Sequence, residues 1–429
     1  MPAVVAITVF VVGYAAIASE RFDRVKVVLV GAAVLLAVQV IDLHDAFHSE
    51  TFGVDWNVIL LLLGMMVLVA GLQQTGLFGY LALHAARATG AHPFALLSVL
   101  VVLTAVASAL VDNVTTVLLI APVIVSITRE LNLPAVPYLL SAVFASNIGG
   151  AATLIGDPPN IIIGSQAGLS YLDFLTNLAP LVLLLLLVFL ATARLMFTSE
   201  MQVDPERLAA LHRQSPRDRL TDPAMLKWSL GILAAVTIGF ALHGVLHYDT
   251  SVVALLGAGV ILLVAKKPSG LLHQVEWPTL AFFVGLFIMV GALVKVGTVD
   301  SIANWLADLI DGRLLLGCIL LLVVSALLSA VIDNIPYVAT MAPIVGTLAA
   351  SLPQGTDAQP LWWSLALGAD LGGNATPIGA SANLIVLAVA ARHGHVISFG
   401  HFVRYGVVVT TVTIAVSAAY LYLRYFAMA

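Results

Sequence analysis

The strongest constraint on this chain is an acid and an amide set in the middle of an apolar run long enough to cross a bilayer. The run is Ser108-Ala-Leu-Val-Asp-Asn-Val-Thr-Thr-Val-Leu-Leu-Ile-Ala-Pro122, with Asp112 and Asn113 at its centre. It recurs as Ser329-Ala-Val-Ile-Asp-Asn-Ile-Pro-Tyr-Val-Ala-Thr-Met-Ala-Pro343, with Asp333 and Asn334 in the same places (333 − 112 = 221, 343 − 122 = 221). An ionisable side chain in hydrocarbon is expensive, so its presence there marks a functional position. Two matched copies imply two such positions built to one plan.

Around these copies the 429-residue chain is 61% hydrophobic and 10% charged, a balance that a water-soluble globule of this length could not bury. Apolar runs able to cross about 30 Å of hydrocarbon recur from end to end, and without water to bond their backbone groups they must be helical. The expected fold class is an all-α polytopic membrane protein. The first run lacks a basic flank and a small-residue cleavage site and is read as a retained span. Cys318 is the single cysteine, which excludes a disulfide within the chain and a site of several thiolates. No basic cluster points to nucleic acid, and no nucleophile stands with a base as an enzyme would need.

Spans are predicted at about 3–18, 27–41 and 57–73, then a short amphipathic piece near 80–89. The motif region, about 94–130, is too long for one helix and polar at its centre, which predicts a re-entrant hairpin with its tip at mid-membrane. A segment at about 136–167 is interrupted by Asn147-Ile-Gly-Gly-Ala-Ala-Thr-Leu-Ile-Gly-Asp-Pro-Pro-Asn160, whose paired glycines and prolines predict an unwound centre. A span at about 174–198 completes a first unit, residues 1–198, and a hydrophilic connector, 199–227, leads to a second, residues 228–429. There the order repeats, with spans at about 228–247, 251–265 and 278–296, a hairpin at about 313–352, a broken helix at about 361–391 and a last span at about 405–425. Val54-Asp-Trp56 pairs with Val275-Glu-Trp277 at the motif offset, and Gly149, Gly150, Thr153 and Asn160 pair with Gly372, Gly373, Thr376 and Asn383 two residues later in register.

With an external N-terminus and both hairpins re-entrant, the inner loops collect most of the basic residues, among them Arg21, Arg24, Lys26, Arg129, Arg207, Lys266 and Arg392, while Lys295, Arg313 and Arg424 fall outside. Each half then crosses five times, and an odd number inverts the second copy. The expectation is two inverted repeats, about ten spans in the cell membrane and both termini outside. That is the plan of a secondary transporter with its site at the repeat interface.

Two hairpin tips and two broken helices should meet there. The first unit offers Asp112, Asn113, Thr115, Asn147, Gly149, Gly150, Thr153, Asp157 and Asn160, and the second Asp333, Asn334, Asp370, Gly372, Gly373, Asn374, Thr376, Ser381 and Asn383. Helix ends at such breaks also expose N–H and C=O groups that lack intrahelical partners. This shell is rich in oxygen and contains no Lys, Arg or His, which suits protons, sodium or a neutral polyhydroxy solute better than a carboxylate. Asp112 and Asp333 are expected to carry the coupling proton; the alternative is a pair of structural acids that never titrate. Asp157 and Asp370 occur in one unit each, opposite Ala380 and Asn147, which fits either substrate selectivity or capping. Asn and Thr in such helices also serve to bond neighbouring helices. His243 and His247 have metal-ligand spacing but no third ligand nearby, so a structural role and no metal site is expected.

Together, Ala145-Ser-Asn-Ile-Gly-Gly-Ala-Ala-Thr-Leu-Ile-Gly-Asp-Pro-Pro-Asn160, Asp112-Asn-Val-Thr-Thr-Val and Asp333-Asn-Ile-Pro-Tyr-Val resemble the ion transporter superfamily. The resemblance is to the branch holding ArsB arsenite permeases, NhaD sodium/proton antiporters and the melanosomal P protein, runs over nearly the whole chain, and leans toward actinobacterial ArsB-type permeases. It implies a scaffold domain that forms a homodimer and a transport domain, made of both hairpins and both broken helices, that moves as an elevator. In the dicarboxylate branch the hairpin tips are Ser-Asn-Thr and bind sodium and carboxylate. Here the matching positions are Asp112-Asn113-Val114 and Asp333-Asn334-Ile335, and the added acids disfavour a dicarboxylate. The implied function is export of arsenite or antimonite as the neutral trihydroxide in exchange for protons, with a sodium/proton antiporter and a sodium-coupled carboxylate transporter as alternatives. No cofactor is implied beyond a coupling proton or sodium ion. The implied partners are the small solute or ion, the bilayer, a second copy and, for arsenite, a cytoplasmic ATPase.

Overall fold

The structure is a computed structural model that describes residues 1–429 except 20, 50, 91, 198–212, 244–247, 354 and 428–429. Its described residues form helices, turns and coil, with no strand among them. The main helices of the first half are α1 (Pro2–Ala18), α2 (Arg24–Ala37), α3 (Trp56–Gln73), α4 (Pro93–Leu110), α5 (Asn113–Leu131), α6 (Ala135–Gly150), α7 (Pro158–Ala167) and α8 (Ala179–Phe197). Those of the second are α9 (Pro223–Ala241), α10 (Thr250–Val264), α11 (Trp277–Lys295), α12 (Leu314–Ser329), α13 (Asn334–Ala350), α14 (Gln359–Gly372), α15 (Ser381–Arg392) and α16 (Phe399–Tyr425). Short helices Leu43–His48, Leu77–Ala88, Tyr171–Asn177, Pro268–Leu272 and Thr298–Ile310 join them.

Among the described residues seven helices, α3, α4, α5, α8, α9, α11 and α16, are long and apolar enough to cross a membrane. Two of these, α4 and α5, are the arms predicted to form the first re-entrant hairpin, whereas the arms of the second, α12 and α13, have 16 and 17 residues. Helices α6 and α14 occupy the middle, since every residue from Tyr138 to Gly150 and from Pro360 to Gly372 is buried. A helix closed in on all faces must be apolar around its whole girth, which both sequences satisfy apart from a few polar positions. By contrast α8, α9 and α10 leave Leu183, Leu187, Trp228, Ile238 and Leu256 exposed, as helices facing lipid would.

Packing follows one pattern in both halves. Helix α4 lies along α6 and α12 along α14, while α2 packs on α11 and α3 on α10. The short second segment of each broken helix rests on the other half's hairpin, α7 on α13 and α15 on α5. Glycines set the closest of these contacts. A methyl group added at Gly149 would lie 2.3 Å from the Ala105 carbonyl oxygen, and one at Gly372 would lie 2.6 Å from the Ala326 backbone. In the first half the helix runs intact through both glycines to Gly150, whereas in the second it ends at Gly372 and Gly373 opens a 3-10 turn, so Gly149 and Gly372 serve to admit a neighbouring backbone. The break begins one residue later in each case, and Pro158 and Pro159 open the next helix, where a missing N–H costs nothing.

The connector is described from residue 213 onward, and its earlier part, including Arg207, lies outside the described residues, as does His247. Its described end is tied to the hairpin base, with Arg219 and Gln214 donating to Glu130 at 3.3 and 3.0 Å.

Candidate functional site

The breaks bring the two hairpin tips and the two broken helices together, and the residue at their meeting point is Asp157. It stands before α7 with no exposed surface, and its side chain does not cap its own helix. Asn113 Nδ2 donates to Asp157 Oδ2 at 2.6 Å, and Asn334 Nδ2 donates to both carboxylate oxygens at 3.3 and 3.2 Å. Thus the amides of the repeated motif converge, and its acids face outward from that point. Asn113 Nδ2 also reaches Asn147 Oδ1 at 3.2 Å, and Asn147 Nδ2 donates across to Asn374 Oδ1 (2.9 Å) and Asn383 Oδ1 (3.2 Å). This buried chain of amides spans both halves. Each unwound loop is pinned in the same way, Thr153 Oγ1 donating to the Ala109 carbonyl at 2.6 Å and Thr376 Oγ1 to that of Ala330 at 2.5 Å.

The acids of the tips are held differently. Asp112 caps α5 from within, accepting from Thr115 N at 2.8 Å and Thr115 Oγ1 at 2.6 Å. The residue matching Thr115 in the second copy is Pro336, which has neither an N–H nor a hydroxyl. Asp333 therefore caps α13 only through Ile335 N (3.1 Å), and its Oδ2 turns outward to Ser381 Oγ (2.5 Å) and Arg24 Nη1 (3.2 Å). Arg24 also donates to Ser381 Oγ at 2.6 Å and lies over the Phe282 ring, 5.3 Å from its centroid.

Arg24 corrects the expectation of a shell without cations. It belongs to the first turn of α2, where it counts in sequence as one more basic residue of an inner loop, and 309 positions separate it from Asp333. Two other groups escape the sequence reading. Glu276, half-buried at the start of α11, accepts from Thr279 Oγ1 at 3.0 Å and lines a cavity of about 30 Å³ with Arg24, Asp112, Thr279 and Ser381. Tyr14 on α1 donates its hydroxyl to the Pro336 carbonyl and contacts Thr340 Oγ1. Such a cavity holds a water or two, far below the volume of a small-molecule pocket. Glu276 had a signal in its match to Asp55; Arg24 and Tyr14 had none.

Asp370 on α14 has no exposed surface, and neither of its carboxylate oxygens has a hydrogen-bond partner among the described residues. Its neighbour Asn160 spends its amide on the Gly150 and Thr153 carbonyls (3.3 and 3.1 Å), which leaves Asn160 Oδ1 also without a donor. Asn383 makes the matching pair of bonds to Gly373 and Thr376 at 2.7 and 2.8 Å.

Apolar helices broken at a shared centre of acids and amides define a multi-pass membrane transporter. Residues 14–368 match the family model described as CitMHS, citrate transporter, and the chain belongs to this family of the ion transporter superfamily. It is 48% identical over 426 residues to a protein of Mycobacterium tuberculosis described as an uncharacterized transporter, covering 99% of each. It is 33% identical over 487 residues to the P protein of Homo sapiens, covering 95% of this chain and 58% of that one. Among solved structures it shares the fold of MtrF of Neisseria gonorrhoeae, described as one of a class of antimetabolite efflux pumps. That match has a TM-score of 0.62 at 13% identity and covers 99% of this chain and 95% of that one.

Proposed function

We propose that the chain is a proton-coupled secondary transporter that exports a small neutral hydroxylated solute of the arsenite or antimonite trihydroxide kind, with Asp112 and Asp333 as the acids that exchange protons. The observation that carries this reading is the state of the charges around the centre. Asp112, Asp333 and Asp370 surround Asp157 within reach of its charge, Glu276 stands beside Asp112, and the cation at the tips, Arg24, is already paired with Asp333. A citrate carrier, as the family description has it, would have to seat several carboxylates among these acids with no free positive charge beside the tips among the described residues. A neutral trihydroxide needs only the oxygen and amide groups that the tips and loops present.

The matched packing of the two halves supports an inverted repeat, with residues 1–198 and 228–429 as its units and a homodimeric scaffold around the moving hairpins. A cavity of only about 30 Å³ beside the tips fits a carrier that must shift its transport unit to admit solute, as an elevator does. Export is also the direction named for MtrF. The same oxygen shell favours sodium/proton antiport as a second reading, with Asp157 and its asparagines holding the metal ion.

Purified protein in liposomes separates these outcomes. Under an imposed proton gradient, arsenite flux accompanied by proton movement is expected. Proton movement on sodium addition with no arsenite flux would replace the first reading by the second, and accumulation of labelled citrate alone would overturn both.

A further inference from the structure

The two broken helices are not chemically equivalent at one contact. In the second half, Asn383 turns its amide to its own loop carbonyls and its Oδ1 receives a donor, Asn147 Nδ2, from the first half at 3.2 Å. In the first half Asn160 does the same with its amide, and its Oδ1 needs the matching donor. The residue in the matching place is Asp370, since 370 − 147 and 383 − 160 are both 223. None of these three oxygens, both of Asp370 and Oδ1 of Asn160, has a hydrogen-bond partner among the described residues, and an ionised carboxylate only accepts, so by this equivalence they would meet with no hydrogen between them. Buried polar atoms of native proteins are paired in all but a few cases, because a group left without a partner keeps the full cost of its lost hydration.

We propose that Asp370 is a proton-binding site, whose carboxyl O–H donates to Asn160 Oδ1 and so completes the contact that Asn147 makes with Asn383 in the twin. The proton arrives from water and leaves to water, and no other bond forms or breaks. Its departure places a negative carboxylate against Asn160 Oδ1 and the facing Asp157, which loosens the packing of α7 on α14. Titratable or charged groups on the elements packed against α14 are Asp157 before α7, Asp333 and Tyr337 of the second hairpin, Cys318 on α12 and Tyr138 on α6. On α16 they are His401, Arg404, Tyr405, Tyr420, Tyr422, Arg424 and Tyr425. Of these, Asp157 is an acid that lies within reach of the Asp370 charge. A role in coupling rests on the transport reading above, but the site does not.

The test is infrared difference spectroscopy of the full chain in lipid, cycled in pH, which reads protonated carboxyl groups without any substrate. A hydrogen-bonded carboxyl band is expected in the unaltered protein and is lost in Asp370→Asn. Because the new amide can donate to Asn160 as Asn147 does to Asn383, that variant should fold and melt at or above the temperature of the unaltered protein at neutral pH. In Asn160→Leu the band should persist but shift to the frequency of a free carboxyl. A spectrum unchanged by Asp370→Asn overturns the proposal, and should that variant not fold, an unshifted band in Asn160→Leu overturns it equally. In liposomes Asp370→Asn should lower proton-driven flux at least tenfold. If no solute moves in the unaltered protein while the band behaves as stated, the transport reading fails and the proton site stands.

Discussion

The two hairpin tips share a sequence motif and use it differently. At the first, Thr115 gives Asp112 both a backbone and a hydroxyl donor, so the acid is satisfied inside its own helix and lines the small cavity. At the second, Pro336 removes both donors, and Asp333 looks for partners elsewhere, finding Ser381 on the second broken helix and Arg24 on α2. Tyr14 reaches the same turn from α1. A one-residue difference between copies thus converts a locally capped acid into one that joins three elements. The lesson is that the first tip is tied mainly to itself and to Asp157, whereas the second is also clamped by α1 and α2.

The largest expected effect comes from removing what the tips share. Asp157→Leu leaves Asn113 its bond to Asn147 but strips Asn334 of both its bonds. The loss should be about 2–4 kcal/mol of stability, read as a lowered melting temperature in detergent, with solvent access rising more at the second tip than at the first. Equal exposure of the two tips would break the comparison. Next is Arg24→Gln, which deprives Asp333 of its cation. Arg24 keeps about a third of its side chain exposed, so the cost is on the order of 1–2 kcal/mol, below the range for fully buried pairs.

A sharper test transplants the first tip's chemistry. Pro336→Thr gives Asp333 the donors that Asp112 has, and Arg24→Gln should then cost less than it does in the unaltered protein. The double-mutant cycle should show a coupling of about 1 kcal/mol, and additivity would mean that Pro336 does not direct Asp333 outward. The smallest effect is at Asp222, an acid of the same capping type on the surface. There the N–H of Met225, with help from Lys266, holds its carboxyl below the usual carboxylate range. A lowered value in the folded state stabilises above the ordinary range and ceases to do so as pH falls through it. The small difference in melting temperature between the protein and Asp222→Asn should therefore be present at pH 7 and vanish in acid.

Much of this was legible beforehand. Asp112 and Asp333 mark the two breaks because an acid in an apolar run has few other uses, and Asn147 to Asn160 marks the unwound loop by its Gly and Pro pairs. The Thr115 to Pro336 difference was also on view, though its consequence depends on knowing that the residue two positions past each tip asparagine supplies the cap. Arg24 was hidden because a basic residue at the start of a span satisfies the positive-inside rule, and nothing local shows that the chain will return to it at Asp333. The convergence on Asp157 was hidden for a similar reason. An acid present in one copy reads as an irregularity until both Asn113 and Asn334 are seen to donate to it.

The central claim is that the acids of the two tips exchange the protons that drive transport. Proton movement should be recorded during arsenite flux in liposomes holding the unaltered protein, Asp112→Asn, Asp333→Asn, or the surface control Asp222→Asn. Proton movement is predicted to be lost in both tip variants and kept in the control. Persistence of full proton movement in both tip variants would contradict the account.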